Sequence, residues 1–129
     1  MMVFIPCRKD CLHIPNTGPD RDPGCGHLYV VLNDTCKNGN NLIVPVCSAH
    51  QRCDNTCLLV PGEHKFIRHD NYIAYNLLRI FQSSHIVSQV DAGVISYEGI
   101  LDEGVFARIY EGVRSSRYSA RIYIKYLFG

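Results

Sequence analysis

The chain lacks an excess of either charge, an apolar run approaching a membrane span, an internal repeat and an even number of cysteines, and each lack closes off a class of protein. Lysine and arginine number 13 against 12 aspartate and glutamate, a formal net charge of +1, so overall charge selects no partner. The start, MMVFIPCRKDCLHIP, has a short apolar stretch broken at Pro6 and then charges. A transmembrane helix needs roughly 20 apolar residues in a row, so neither an anchor nor a secretion signal is expected, and the chain reads as cytosolic. Seven cysteines cannot all pair, and a reducing cytosol disfavours a disulfide framework, which leaves buried free thiols or zinc ligands. With 129 residues, 47% of them hydrophobic and 19% charged, the expectation is one globular domain that buries a core without disulfide or metal.

Residues 1–26 hold four of the six prolines and three of the ten glycines, and PNTGPDRDPGCG predicts a long loop, a leader that something must pin down. HLYVVLND (27–34) is β-branched and aromatic and stops at Asn-Asp, the pattern of a buried strand. LIVPVCS (42–48) is a second strand, and Pro45, which removes a ladder donor, predicts an edge or a bulge. TCLLV is a short third strand closed by the turn at Pro61 and Gly62. NYIAYNLLRIF (71–81) fits helix and strand spacing alike and is taken as strand. In LDEGVFARIYEGVRSS (101–116), Val105, Ile109 and Val113 recur every four residues behind Asp102 and Glu103, which suit a helix start. YSARIYIKYLF alternates as a strand would. The sum is a mainly β, α+β chain: a small curved antiparallel barrel with one C-terminal helix.

Chemistry concentrates between residues 47 and 75. Cys47, His50, Cys53 and Cys57 are spaced C-x2-H-x2-C-x3-C, and all four side-chain types ligate zinc. Against a zinc site, all four crowd one stretch instead of two separated knuckles, and a thiol at a strand end commonly serves as a small buried hydrophobe. A composite site drawing Cys7, Cys11, Cys25 or His27 together with Cys53 or Cys57 stays open. The loop GEHKFIRHD brings His64, Lys65, Arg68 and His69 just before Tyr72. Cations beside aromatic rings suit single-stranded RNA, whose bases stack and whose phosphates attract charge; the plain alternative is a solvated loop. Near the C-terminus Arg108, Arg114, Arg117, Arg121 and Lys125 interleave with Tyr110, Tyr118, Tyr123 and Tyr126, a second candidate phosphate-binding face, or an ordinary soluble helix and edge strand. Asp54, and Asp70 with Asn71, read as turn formers, and Ser115 and Ser116 as a turn or cap.

The order of features in GHLYVVLND (26–34) and VPVCS (44–48) resembles the MazF and PemK type of plasmid-maintenance toxin ribonuclease. The resemblance covers roughly the middle third of the chain. It implies an SH3-like β-barrel, a homodimer, an antitoxin protein partner and metal-independent cleavage of single-stranded RNA. The arginine that the family places at the head of the first apolar strand falls on His27, the threonine ending the second falls on Cys47, and the following serine is kept as Ser48. A histidine can move protons near neutral pH but holds phosphate less well than arginine unless it is protonated. His27, Ser48 and Arg68 are therefore the expected catalytic residues, with His64, Lys65, His69, Tyr72, Arg114 and Arg117 binding RNA.

Two other classes fit the same residues: a non-catalytic phage or mobile-element binding protein on the same barrel, and a zinc-stabilised interaction module. Elemental analysis separates the last. A zinc module carries stoichiometric zinc that resists mild chelation, and the other two carry none.

Overall fold

The computed structural model describes residues 4–15 and 26–129, so the loop expected over 15–26 lies almost wholly outside the described residues. Ahead of that expected loop the leader holds a strand that the sequence reading did not predict. Asp10–Pro15 forms strand β1, because Leu12 and Ile14 on one side and Cys11 on the other are all buried. The remaining strands are β2 (Gly26–Val31), β3 (Asn40–Ser48), β4 (Leu58–Leu59), β5 (Asn71–Ile73), β6 (Arg79–Gln82) and β7 (Ser96–Ile100). Three α-helices accompany them: α1 (Ser83–Asp91), α2 (Glu103–Ser115) and α3 (Arg121–Phe128). The 71–81 segment resolves into β5, a single 3-10 turn over Tyr75–Leu77, and β6.

Among the described residues the strand pairings are antiparallel, and the strands run in the order β4-β5-β3-β2-β1-β7, with β6 also on β3. β4 and β7 end this path, and among the described residues no pairing joins them, so the sheet is open where a closed barrel was expected. Helices make closure unnecessary. Leu28, Val30, Val44, Val46 and Ile73 face α2 through Val105, Phe106, Ile109 and Val113, with α3 adding Tyr123, Ile124 and Leu127. The alternate residues Leu12, Tyr29, Val31 and Ile43 meet Ile86 of α1 and Ile95. Both faces are thus buried, as strand alternation requires.

Pro45 lies in the middle of the sheet, not at its edge. Its carbonyl accepts from the Ala74 N–H at 3.1 Å, so the side of the strand that lacks an N–H faces the 3-10 turn. There β3 changes partner, from β6 at Asn40–Ile43 to β5 at Val46–Ser48, and no donor is required. Tyr75 fills this step. It is fully buried and donates from its hydroxyl to the Ile109 carbonyl of α2 at 2.8 Å.

The end of the chain is also a correction: α3 replaces the expected strand. Tyr123 with Leu127, and Ile124 with Phe128, are four apart and half-buried on one side, while Ile122 stays 66% exposed. The ring of Phe128 meets Tyr110 of α2 at 5.0 Å, and the Tyr126 hydroxyl donates to the Asn40 carbonyl at 3.1 Å. Alternation and helical spacing coexist in this stretch, and α2 supplies the surface that decides between them. Asp102 caps α2 by accepting from Gly104 and Val105, as its position in the sequence implied.

α2 approaches Tyr75 through Gly112, where a Cβ would lie 1.9 Å from the tyrosine oxygen. Gly112→Ala is expected to destabilise the fold by about 1–3 kcal/mol through overpacking. Tyr75→Phe, which removes only the hydroxyl, should cost about 1 kcal/mol. Urea unfolding of the two variants checks the order.

Candidate functional site

One loop gathers most of the polar chemistry. After Val60 the chain turns through Gly62, whose φ of 98° suits glycine, and is anchored by Ile67, a buried member of the core under α2. The residues around this anchor lie across the strand ends. Lys65 reaches Glu98 of β7 at 3.8 Å, and His64 hydrogen-bonds the Glu98 backbone. The Phe66 ring stacks on His13 of β1 at 6.2 Å and on His64 at 6.2 Å. His69 then reaches β3, with its Nε2 2.9 Å from the Ser48 Oγ.

Gly26 of β2 lets this row assemble, because a Cβ there would stand 2.6 Å from His13 Cε1. His69 is held from behind. Asn71 donates from Nδ2 to the His69 carbonyl at 2.8 Å, Asn71 pairs with Ser48, and the Ala49 N–H donates to the Asp70 carbonyl at 3.0 Å. Ser48 and His69 are exposed, so their hydrogen-bonded hydroxyl and imidazole open to solvent together at one rim, and exposed Arg68 precedes His69 in the chain. An imidazole beside a hydroxyl can accept or relay a proton, and a neighbouring cation can neutralise a phosphate.

His27 is not part of that rim. Leu28 belongs to the core under α2 and Tyr29 to the one under α1, so His27, one residue before Leu28, shares the face of Tyr29. Val46 and Cys47 differ in the same way, which turns Ser48 to the α2 face and Cys47 away from it. Continuing the pairing of Leu28 with Val46 by one step sets His27 beside Cys47. The expected trio therefore divides, with His27 and Cys47 on one face and Ser48 with the 64–69 loop on the other.

The remaining expected residues are scattered. Tyr72 is 8% exposed and packs with Cys47 and Ala74, its ring edge-on to His50 at 5.4 Å, so it offers no open face for a base. Arg114 is held by both carboxylate oxygens of Glu111 at 2.9 Å and covers the Phe128 ring. Arg117 lies just past α2, over Tyr118.

The four residues of the zinc spacing do not converge: Cys57 sits in the core under α2, whereas Cys47 and Cys53 belong to the cluster on the opposite face. Among the described residues no three histidine, cysteine, aspartate or glutamate side chains are grouped to hold a metal. Burial pushes the Cys57 thiol up and that of Cys11 to about 12, so both stay protonated at neutral pH. Six of the cysteines are described, and no disulfide joins any two of them.

Sequence reasoning passed over His13 and Phe66, which complete the rim. The signal for His13 was the alternation of Cys11 and His13 against Leu12 and Ile14, masked by the prolines that follow.

No family model and no curated protein sequence matches the chain. Its fold is a MazF-like one. It is similar to a chain of the MazE-MazF complex from Deinococcus radiodurans in crystal form II, with a TM-score of 0.57 at 12% identity over 87% of this chain and 94% of that one. Crystal form III of the same complex gives 0.58 at 13% identity, over 87% and 95%. Among the described residues no helix is long and apolar enough to cross a membrane.

Burial, the larger influence, holds the His64 imidazole below its ordinary value, and its Nδ1 accepts from the Phe66 N–H at 3.2 Å, a bond available only to the neutral ring. The unfolded chain therefore binds this proton more readily than the folded one. Stability should be full above about pH 6.5, the ordinary histidine value, and fall as pH drops below it. Thermal melts from pH 7.5 to 5 should show the slope, and His64→Gln should flatten it.

Proposed function

We propose that the chain is a toxin-type endoribonuclease that cleaves single-stranded RNA without a metal and is held in check by a protein antitoxin. The observation that carries this reading is the exposed Ser48–His69 hydrogen bond, with Arg68 the residue before His69 in the chain. Fold likeness supports it at a coarser level, since the similar solved chains come from complexes of MazE with MazF. A shared fold is consistent with many functions, so the site has to bear the argument.

In this mechanism His69 Nε2 takes the proton of a ribose 2′-hydroxyl, directly or through Ser48. The 2′ oxygen attacks phosphorus, the bond to the 5′ oxygen breaks, and the leaving oxygen takes a proton from water. Arg68 neutralises the charge that builds on the phosphate, while Lys65 and the half-buried His64 line the approach. Phe66, 40% exposed, takes over from buried Tyr72 as the ring on which a base stacks. His27 and Cys47, on the other face, stand where the resembling family has arginine and threonine. They favour a second reading, a protein that binds RNA or a partner on this fold without cutting.

Mixed-sequence RNA incubated with purified protein tests both. Cleavage should persist in chelator, leave cyclic phosphate ends, and fall about 100-fold or more in His69→Ala and Arg68→Gln, with His27→Ala close to wild type. Loss in His27→Ala with His69→Ala unaffected would move the chemistry to the opposite face. Intact RNA that is nevertheless retained by the protein would leave the binding reading.

A further inference from the structure

Away from the rim, the loop after β3 and the end of α2 enclose an open pocket of about 550 Å³. Arg52, Asn55 and Thr56 line one wall, and Ser115, Arg117 and Tyr118 the other. The walls are tied through Asp54. One of its carboxylate oxygens accepts from the Thr56 N–H at 2.9 Å and from the Thr56 hydroxyl at 2.6 Å; the other accepts from the buried Ser116 hydroxyl at 2.6 Å. Ser116 Oγ in turn accepts from the Tyr118 N–H at 3.1 Å, which fixes the turn that carries the aromatic ring.

Asp54 is thus occupied in holding the pocket together. Neither Arg52 nor Arg117 enters a salt bridge among the described residues. Arg117 lies 4.9 Å over the Tyr118 ring and donates to its hydroxyl at 2.7 Å, which couples a cation to an aromatic surface; Tyr118 is 46% exposed. The carbonyl end of α2 and Asp54 both add negative potential nearby, so an anion here needs both arginines. The Thr56 and Ser115 hydroxyls are already spent on Asp54 and the Glu111 carbonyl, and Arg117 also feels Asp54, so the two guanidiniums, the Asn55 amide and the exposed ring are what the pocket offers to a phosphate joined to a base.

We propose that this pocket binds a nucleoside phosphate, with Arg52 and Arg117 meeting the phosphate oxygens and the base lying on the surface of Arg117 and Tyr118. The ligand is a free nucleotide or one residue of an RNA strand. The strand version rests on the ribonuclease reading, and the free-nucleotide version does not.

Calorimetric titration of the full chain at low salt, with adenosine 5′-monophosphate and with a 2′-O-methylated oligoribonucleotide that resists cleavage, tests the site. Binding of at least one probe is expected. Arg52→Gln and Tyr118→Leu, both exposed and checked for folding by circular dichroism, should each weaken it by about tenfold or more, and Arg52→Lys by less. Binding of the mononucleotide assigns a free nucleotide, and binding of the oligonucleotide alone assigns a strand. Absence of binding by either probe, or affinity unchanged in both Arg52→Gln and Tyr118→Leu, overturns the proposal. Cleavage scored in parallel keeps the two proposals apart: Arg52-dependent nucleotide binding without cleavage defeats only the ribonuclease reading, and cleavage without such binding defeats only this one.

Discussion

The change of partner along β3 is the constraint on which the rest of the molecule depends. One nine-residue strand pairs with β2 along one edge and with β6 and then β5 along the other. Pro45 sits at the step, where a missing N–H is harmless, and Tyr75 drops into the space that the step opens. Its hydroxyl and the bare backbone of Gly112 fix how close α2 comes to the sheet. The two ends of β3 then serve different neighbours. Asn40 is drawn to Tyr126 of α3, and Ser48 to the loop that carries His69.

That loop is held by packing more than by charge. Burial of Ile67 contributes about 1.5–3 kcal/mol. The Lys65–Glu98 pair, at 3.8 Å with the lysine side chain 64% exposed, contributes little because water screens it. Hydrogen bonds from Asn71 and the Ala49–Asp70 pairing fix His69 more firmly than its exposure implies. A rigid frame carrying solvent-facing polar groups is the usual arrangement for function on a loop.

Strand alternation sorts the candidate chemistry onto two faces. Neighbours in sequence, Cys47 and Ser48, point apart, so a site built on one excludes the other. Fold likeness to MazF at 12–13% identity does not choose between the faces. The hydrogen-bonded serine and histidine, with exposed Arg68 preceding the histidine in the chain, give the α2 face the stronger chemical case.

By itself the sequence determined the β-rich core, the capped helix α2 and the cationic loop, because each rests on local patterns: runs of β-branched residues, apolar residues four apart behind Asp102, and a turn at Pro61 and Gly62. The tertiary structure alone decided the rest. Both periodicities fit residues 118–128, and contact with the core around Phe106, with Tyr110 and with the Asn40 carbonyl selected a helix over Arg121–Phe128. β1 was hidden by prolines and exists because β2 and β7 flank it. Which residues meet at the rim depends on strand order, which brings His13, Gly26, Ser48 and His69 together from positions up to 56 apart, and on side-chain parity, which sends His27 elsewhere. Parity is fixed only once each strand has a buried face, and burial belongs to the packed molecule, not to the chain.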